Sequence, residues 1–144
     1  MKEEKIHVFF EGLESFRIET ILLESWIGTV CSNENHTLKN LSIIICTDEF
    51  LINMNRDHLD HDYYTDIITF DLSEEPASIE GELYISLDRI RDNAKKLSVS
   101  ESKELHRVII HGVFHLIGYN DKTEQQQKIM RSKEDASLSL RSEI

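Results

Sequence analysis

At 144 residues the chain is long enough for one globular domain with a sizeable core and too short for two comfortable ones. It is 40% hydrophobic and 8% aromatic, with one proline and five glycines, a composition that excludes low-complexity, collagen-like and disordered chains. The net charge of -11 argues against a polyanion ligand, yet residues 48–82 hold 11 acids against Arg56 alone whereas residues 83–144 hold 11 bases against 9 acids, which confines any phosphate-compatible face to the C-terminal part.

Nothing in the sequence approaches the roughly 18 uninterrupted apolar residues of a membrane span, and residues 1–5 lead into no signal-like apolar run. A cytoplasmic protein with no membrane partner is expected. Cys31 and Cys46 lie in apolar surroundings without CxxC spacing, so both are read as buried, reduced and inert.

In chain order, Ile6-His7-Val8-Phe9-Phe10 is short, β-branched and aromatic and stops at Glu11-Gly12, which predicts a first strand. Over residues 16–31, Phe16, Leu22, Leu23, Trp26, Ile27 and Val30 recur at spacings of three and four, the pattern of an amphipathic helix. Leu41-Ser42-Ile43-Ile44-Ile45-Cys46 is nearly all apolar and predicts a strand central in the sheet. Thr47-Asp48 can cap a helix running to about Leu59, with Phe50, Leu51 and Met54 turned inward.

Asp66-Ile67-Ile68-Thr69-Phe70 and Glu82-Leu83-Tyr84-Ile85-Ser86 are two more short strands, separated by a polar stretch holding Pro76. Asp88 opens a helix with Ile90, Ala94 and Leu97 on one face. Ser98 followed by Glu101 has the form of a capping box for the longest apolar helix, Glu101–Ile117, and residues 123–140 form a final, mostly polar helix. The sum is a single α+β domain over residues 1–144, a small mixed sheet of about four strands packed with helices.

The segment His111-Gly112-Val113-Phe114-His115-Leu116-Ile117-Gly118-Tyr119-Asn120-Asp121 carries the chemistry. Two histidines four apart lie on one helix face, close enough for both imidazoles to reach a single ion. Gly118, three residues on, suits the left-handed backbone that ends a helix, and the resulting turn can return Asp121 to the same ion. Three such ligands leave a fourth tetrahedral position for water, the catalytic arrangement for zinc. The helix around them is apolar almost all round, and burying two imidazoles without partners would be costly. Gly112 gives up roughly 1 kcal/mol of helix propensity relative to alanine, a sign of close approach by something. The spacing is also that of the metzincin proteases, but their general-base glutamate would fall at Gly112, which disfavours peptide hydrolysis by that route.

This segment resembles the signature of the YbeY family of bacterial metal-dependent endoribonucleases, H-G-x-x-H-L-x-G-Y followed by a third ligand. Thr65-Asp66-Ile67-Ile68-Thr69-Phe70 is similar to the family's T-D-V-L-S-F strand, and Gly81-Glu82-Leu83-Tyr84-Ile85-Ser86 to its G-D/E-I-x-I-S strand. The likeness covers about residues 41–131. It implies a small α+β fold with one zinc ion, cleavage of single-stranded RNA, maturation of the 3′ end of 16S ribosomal RNA, and ribosome quality control. The implied partners are single-stranded rRNA and the ribosome or its small-subunit precursor. The implied ligands are His111, His115 and Asp121, the last in place of the family's usual histidine. A family arginine held to help with substrate aligns with Leu59, and Arg56 is the nearest cation.

Among the remaining residues, Asp66 and Glu82 start strands of the matched motifs and are candidates for proton acceptor or for partner to a ligand histidine. Residues 57–62, with two histidines and three acids, read as an acidic solvated loop rather than a second metal site. His106 lies about 140° round the helix from His111, outside the site, and is expected at the surface. Met130 reads as a core residue. Arg89, Arg91, Lys95, Lys96 and Arg107 are the basic concentration nearest the site in sequence, and Arg89, Lys95 and Lys96 are the candidates for holding RNA phosphates. A zinc-dependent endoribonuclease is the leading function. The alternative is a non-catalytic, zinc-containing ribosome-assembly factor that binds RNA or a ribosomal protein, recognisable by a fourth protein ligand on the metal.

Overall fold

The computed structural model describes residues 4–59 and 65–141, with side chains through Arg56 in the first stretch. The elements run β1 (Ile6–Phe10), α1 (Thr20–Asn33), β2 (Thr37–Cys46), α2 (Asp48–Leu59), β3 (Ile67–Asp71), β4 (Ser78–Ser86), α3 (Leu87–Leu97), α4 (Glu101–Ile117) and α5 (Glu124–Leu140). The four strands form one mixed sheet in the order β1-β2-β4-β3, an α+β fold as expected. β1 and β4 flank β2 and run parallel to it, while β3 pairs antiparallel with β4. The apolar strand read as central is therefore an interior one.

Strand alternation separates two faces. On the first, Ile6, Leu41, Ile43, Ile45, Leu83 and Ile85 pack beneath α1 and α4 in the main core, joined by Met130 of α5. On the second, α2 covers a small cluster of Cys46, Leu51 and Ile68, with Phe50, Phe70 and Tyr84 at its border. The backbone of α4 comes close to the sheet at Gly112, where an added Cβ would lie 2.7 Å from Ile67 Cδ1 and 2.9 Å from Leu83 Cδ2. The close approach anticipated at this glycine is thus made by the sheet. Cys31 and Cys46 are free and buried, and burial pushes both thiols up to about 12.

The helix ends depart from the expectation in three places. α1 begins at Thr20 and runs to Asn33, so Phe16 lies before it, edge-on to Phe10 at 4.9 Å between ring centroids. Ser86 caps α3 by accepting from the Arg89 N–H, so the helix starts at Leu87, one residue ahead of the proposed start at Asp88. Ser100, not Ser98, caps α4 by accepting from the Lys103 N–H, because Ser98 is already used at φ 56° as the left-handed end of α3. At α5 the expected start holds, with a reciprocal capping box between Thr123 and Gln126.

His106 is also a correction. It is only 3% exposed, its ring edge-on to Trp26 at 5.7 Å between centroids, and its Nδ1 accepts from the Arg141 guanidinium. α4 is enclosed on nearly every side, so a position far round from His111 faces α1 rather than water. Burial, reinforced by the Arg141 charge, pushes the His106 pKa down to about 4. Met130 is a core residue as read, at 2% exposure.

Candidate metal centre

The C-terminal half of α4 carries His111 and His115 on the flank between β3 and α5. Their Nε2 atoms lie 3.0 Å apart. Gly118 ends the helix at φ 126°, its N–H reaching the carbonyls of Phe114 and His115, and the chain turns back. Asp121 Oδ2 then stands 3.2 Å from His111 Nε2 and 3.4 Å from His115 Nε2. The three residues named from the motif spacing are the three brought together.

Which protons these rings carry follows from their other nitrogens. His115 Nδ1 is 2.9 Å from the Tyr119 carbonyl, which can only accept, so Nδ1 bears the hydrogen. His111 Nδ1 is 2.6 Å from Glu134 Oε2 and donates there. With neutral rings both Nε2 atoms present lone pairs, and the Asp121 carboxylate adds a third. Three acceptors facing one point repel unless a cation sits among them. Ligand atoms about 2.0–2.1 Å from one zinc in a tetrahedron lie about 3.3 Å from each other, close to the spacings found. Donor chemistry and geometry both fit a divalent metal.

Behind His111 lies a set of charges with little access to water. Glu134 and Glu104 are 2% and 1% exposed. Arg107 joins them: its Nε and Nη2 donate to Glu104 at 2.8 and 2.6 Å, and its Nη1 donates to Glu134 at 3.0 Å. Burial works to raise the Glu134 pKa, but the hydrogen bonds from His111 and Arg107 outweigh it, and the carboxyl is held below its usual range. For His111 burial works to lower the pKa, and the Glu134 hydrogen bond with the charges of Glu134, Asp66 and Asp121 reverses this, leaving it raised in the metal-free protein.

Asp66 is the one proposed acid that reaches this neighbourhood. It enters β3 with its carboxylate 4.0 Å from Arg107 Nη2 and within electrostatic range of His111. Burial raises its pKa against the opposing pull of His111 and Arg107. Glu82 is not brought to the histidines. In β4, Gly81 and Leu83 face α4, so alternation turns Glu82 to the opposite side of the sheet, where it bonds to Tyr84.

Of the basic candidates, Arg89 is engaged by Asp48 at 3.0 Å and Asp92 at 2.9 Å. Lys95 and Lys96 are exposed in the last turn of α3, beside the N-terminal end of α4, where Glu101 is about 15 Å along the axis from His111. The side chains of residues 57–59, Leu59 among them, and the whole of residues 60–62 lie outside the described residues, so the 57–62 cluster is not described beyond the backbone of the end of α2.

Sequence reasoning missed Glu134, Glu104, Glu34 and Lys133, and gave Tyr119 no role beyond its place in the matched motif. Tyr119 donates its hydroxyl to Glu34 Oε1 at 2.5 Å, and Lys133 donates to Glu34 Oε2 at 2.9 Å while lying 5.4 Å from the centre of the Tyr119 ring. One signal was present: Met130, Glu134 and Ser137 fall at i, i+4 and i+7, so a carboxylate occupies the buried stripe of α5.

A mixed sheet backing one helix that offers two imidazoles, with a carboxylate returned by the following turn, defines an α+β protein in which three side chains that could hold a metal ion are brought together. The family model for endoribonuclease YbeY matches residues 12–141. Endoribonuclease YbeY of Cytophaga hutchinsonii is 50% identical over 141 residues, covering 98% of this chain and 99% of its own. That of Porphyromonas gingivalis is 44% identical over 134 residues, 93% of this chain and 88% of its own. Among solved structures, the solution structure of a Thermotoga maritima protein superposes with a TM-score of 0.62 at 26% identity, covering 93% of this chain and 87% of that one. The chain belongs to the endoribonuclease YbeY family. Among the described residues no helix is long and apolar enough to cross a membrane.

Proposed function

We propose that the protein is a zinc-dependent endoribonuclease of the cytoplasm, specific for single-stranded RNA. Its substrate is the 3′ end of 16S ribosomal RNA in a small-subunit precursor, and its wider role is ribosome quality control. The observation that carries the reading is the convergence of His111 Nε2, His115 Nε2 and Asp121 Oδ2 within 3.0–3.4 Å, in a chain of an endoribonuclease family. Three protein ligands leave an open position, the arrangement of a catalytic site rather than a structural one.

The chemistry a bound zinc supplies there is a water of lowered pKa and a positive charge for the scissile phosphate. Asp121 in place of a neutral ligand adds negative charge and makes a weaker Lewis acid. Asp66 receives the proton of the attacking hydroxyl, whether that of water or the RNA 2′-hydroxyl. Its burial favours this role, because a carboxylate of raised pKa accepts a proton closer to neutral pH. Arg107 holds Asp66 toward the site. Lys95 and Lys96 meet phosphates of the strand away from the cut.

Metal content by mass spectrometry, with cleavage of a single-stranded RNA, tests the reading on the wild type and on His115→Ala. About one zinc per chain and cleavage in the wild type, both lost in the variant, are expected. Iron in place of zinc would correct the metal and keep the site, since two histidines and a carboxylate also suit iron(II). Zinc without cleavage would favour the assembly factor. Asp66→Asn should retain the metal and lose roughly 10²- to 10⁴-fold in rate.

A further inference from the structure

Two adjacent residues of α5 reach the two ligand histidines by separate routes. Glu134 takes the Nδ1 hydrogen of His111 directly, at 2.6 Å. Lys133 acts at one remove: it holds Glu34, the residue that ends α1, and Glu34 accepts from the hydroxyl of Tyr119. The main-chain oxygen of that tyrosine fixes the ring of His115, and two residues on its chain delivers Asp121. α5 also grips the turn itself, where Gln127 Nε2 donates to the Asp121 carbonyl at 3.1 Å and Gln126 Oε1 accepts from the Lys122 and Thr123 N–H groups.

We propose that α5 is the positioning element of the metal centre, with Glu134 setting His111 and the chain Lys133–Glu34–Tyr119 setting His115 and Asp121. This rests on reading the three residues as metal ligands. Each ligand ring needs its Nδ1 hydrogen held so that Nε2 faces the ion, and the acceptor that holds it also raises the basicity of the ring. A structural account of the two residues explains less. Glu34 and Lys133 could stabilise the fold anywhere on the surface of α1 and α5. Instead they meet on Tyr119, the residue whose carbonyl orients His115. Glu134 stands in a stripe otherwise filled by Met130 and Ser137, where an apolar side chain would pack at lower desolvation cost.

The test measures affinity for zinc and for cobalt(II) by chelator competition, alongside the melting temperature of the metal-free protein. The proteins are the wild type, Glu134→Gln, Glu34→Gln, Lys133→Met and Lys133→Arg. Weakening by about 10- to 100-fold is expected for Glu134→Gln, and about 10-fold for Glu34→Gln and Lys133→Met, with Lys133→Arg restoring most of the loss. The cobalt(II) absorption band should shift in Glu34→Gln, since His115 and Asp121 move relative to the ion. Affinities within twofold of wild type in both arms would overturn the proposal. So would losses that follow the melting temperature of the metal-free protein in proportion, which mark a purely structural role. A wild type that binds neither metal would overturn the ligand assignment itself. Should Glu134→Gln fail to fold, the Glu34 and Lys133 variants decide the matter alone.

Discussion

His106 and His111 lie less than two turns apart on α4 and meet opposite surroundings. Both are withdrawn from water, and burial works to lower both pKa values. His106 faces α1 and has a cation, Arg141, as its polar neighbour, so its pKa falls to about 4. His111 faces α5 and is surrounded by Glu134, Asp66 and Asp121, so its pKa rises. The lesson is that burial alone does not make a site. The sign of the charge brought against a buried imidazole decides whether its pKa falls or rises.

Removing the cation that holds the anionic side together is the harshest way to break this contrast. Arg107→Met leaves Glu104 and Glu134, 1% and 2% exposed, without their shared partner. It should cost about 3–5 kcal/mol in urea unfolding of the metal-free protein. A loss below about 1 kcal/mol would show that water or rearrangement replaces the arginine.

The His106 side is sharpened by pH. An unfolded histidine takes up its proton near 6.5 and the folded His106 near 4. Its contribution is therefore complete above pH 6.5 and is lost as the pH falls toward 4, a change of about 3 kcal/mol. Stability of wild type and His106→Gln, followed across that window, should converge in acid. Parallel curves would remove the effect.

The His111 side has the reverse slope. Its folded pKa lies above its unfolded value, so in the metal-free protein its contribution is fully present below pH 6.5 and is lost as the pH rises through the folded value. The effect is smaller than at His106, because burial opposes the acids. NMR titration of the metal-free protein should show the two imidazoles on opposite sides of the ordinary histidine value, and the opposite order would dissolve the comparison. The smallest effect belongs to a pair outside either environment. Arg91 and Glu101, 59% and 61% exposed and 3.3 Å apart, should contribute under about 1 kcal/mol when Arg91→Ala is compared by thermal melting.

The convergence of the three proposed ligands was legible because each of its parts is local. Helical spacing places His111 and His115 together, and Gly118 reverses the chain within six residues of His115. The strands were legible for the same reason, since a run such as residues 41–46 declares itself without reference to the rest of the chain. What sequence did not reveal depends on docking between distant elements. Glu134 is 23 residues from His111, and Glu34 is 85 from Tyr119. Neither relation has a local pattern, although an acid on the buried stripe of α5 was a visible hint. His106 was misread because amphipathic reasoning reserves one helix face for water, and α4 has almost none. Asp66 and Glu82 looked equivalent as strand starts, and only the parity of β4 against α4 separates them.

The meeting of α5 with the histidines has a consequence for the order of synthesis. All three ligands precede α5 in the chain, yet the groups that aim them, Lys133 and Glu134, follow. A nascent chain halted after Asp121 has every donor atom and the Tyr119 carbonyl for His115, but lacks the Glu134 carboxylate that sets His111 and the Lys133, Gln126 and Gln127 side chains that hold the turn. At roughly 5–20 residues per second, the interval before α5 emerges is about a second or more. During it, β1 to α4 can fold around an unarmed site.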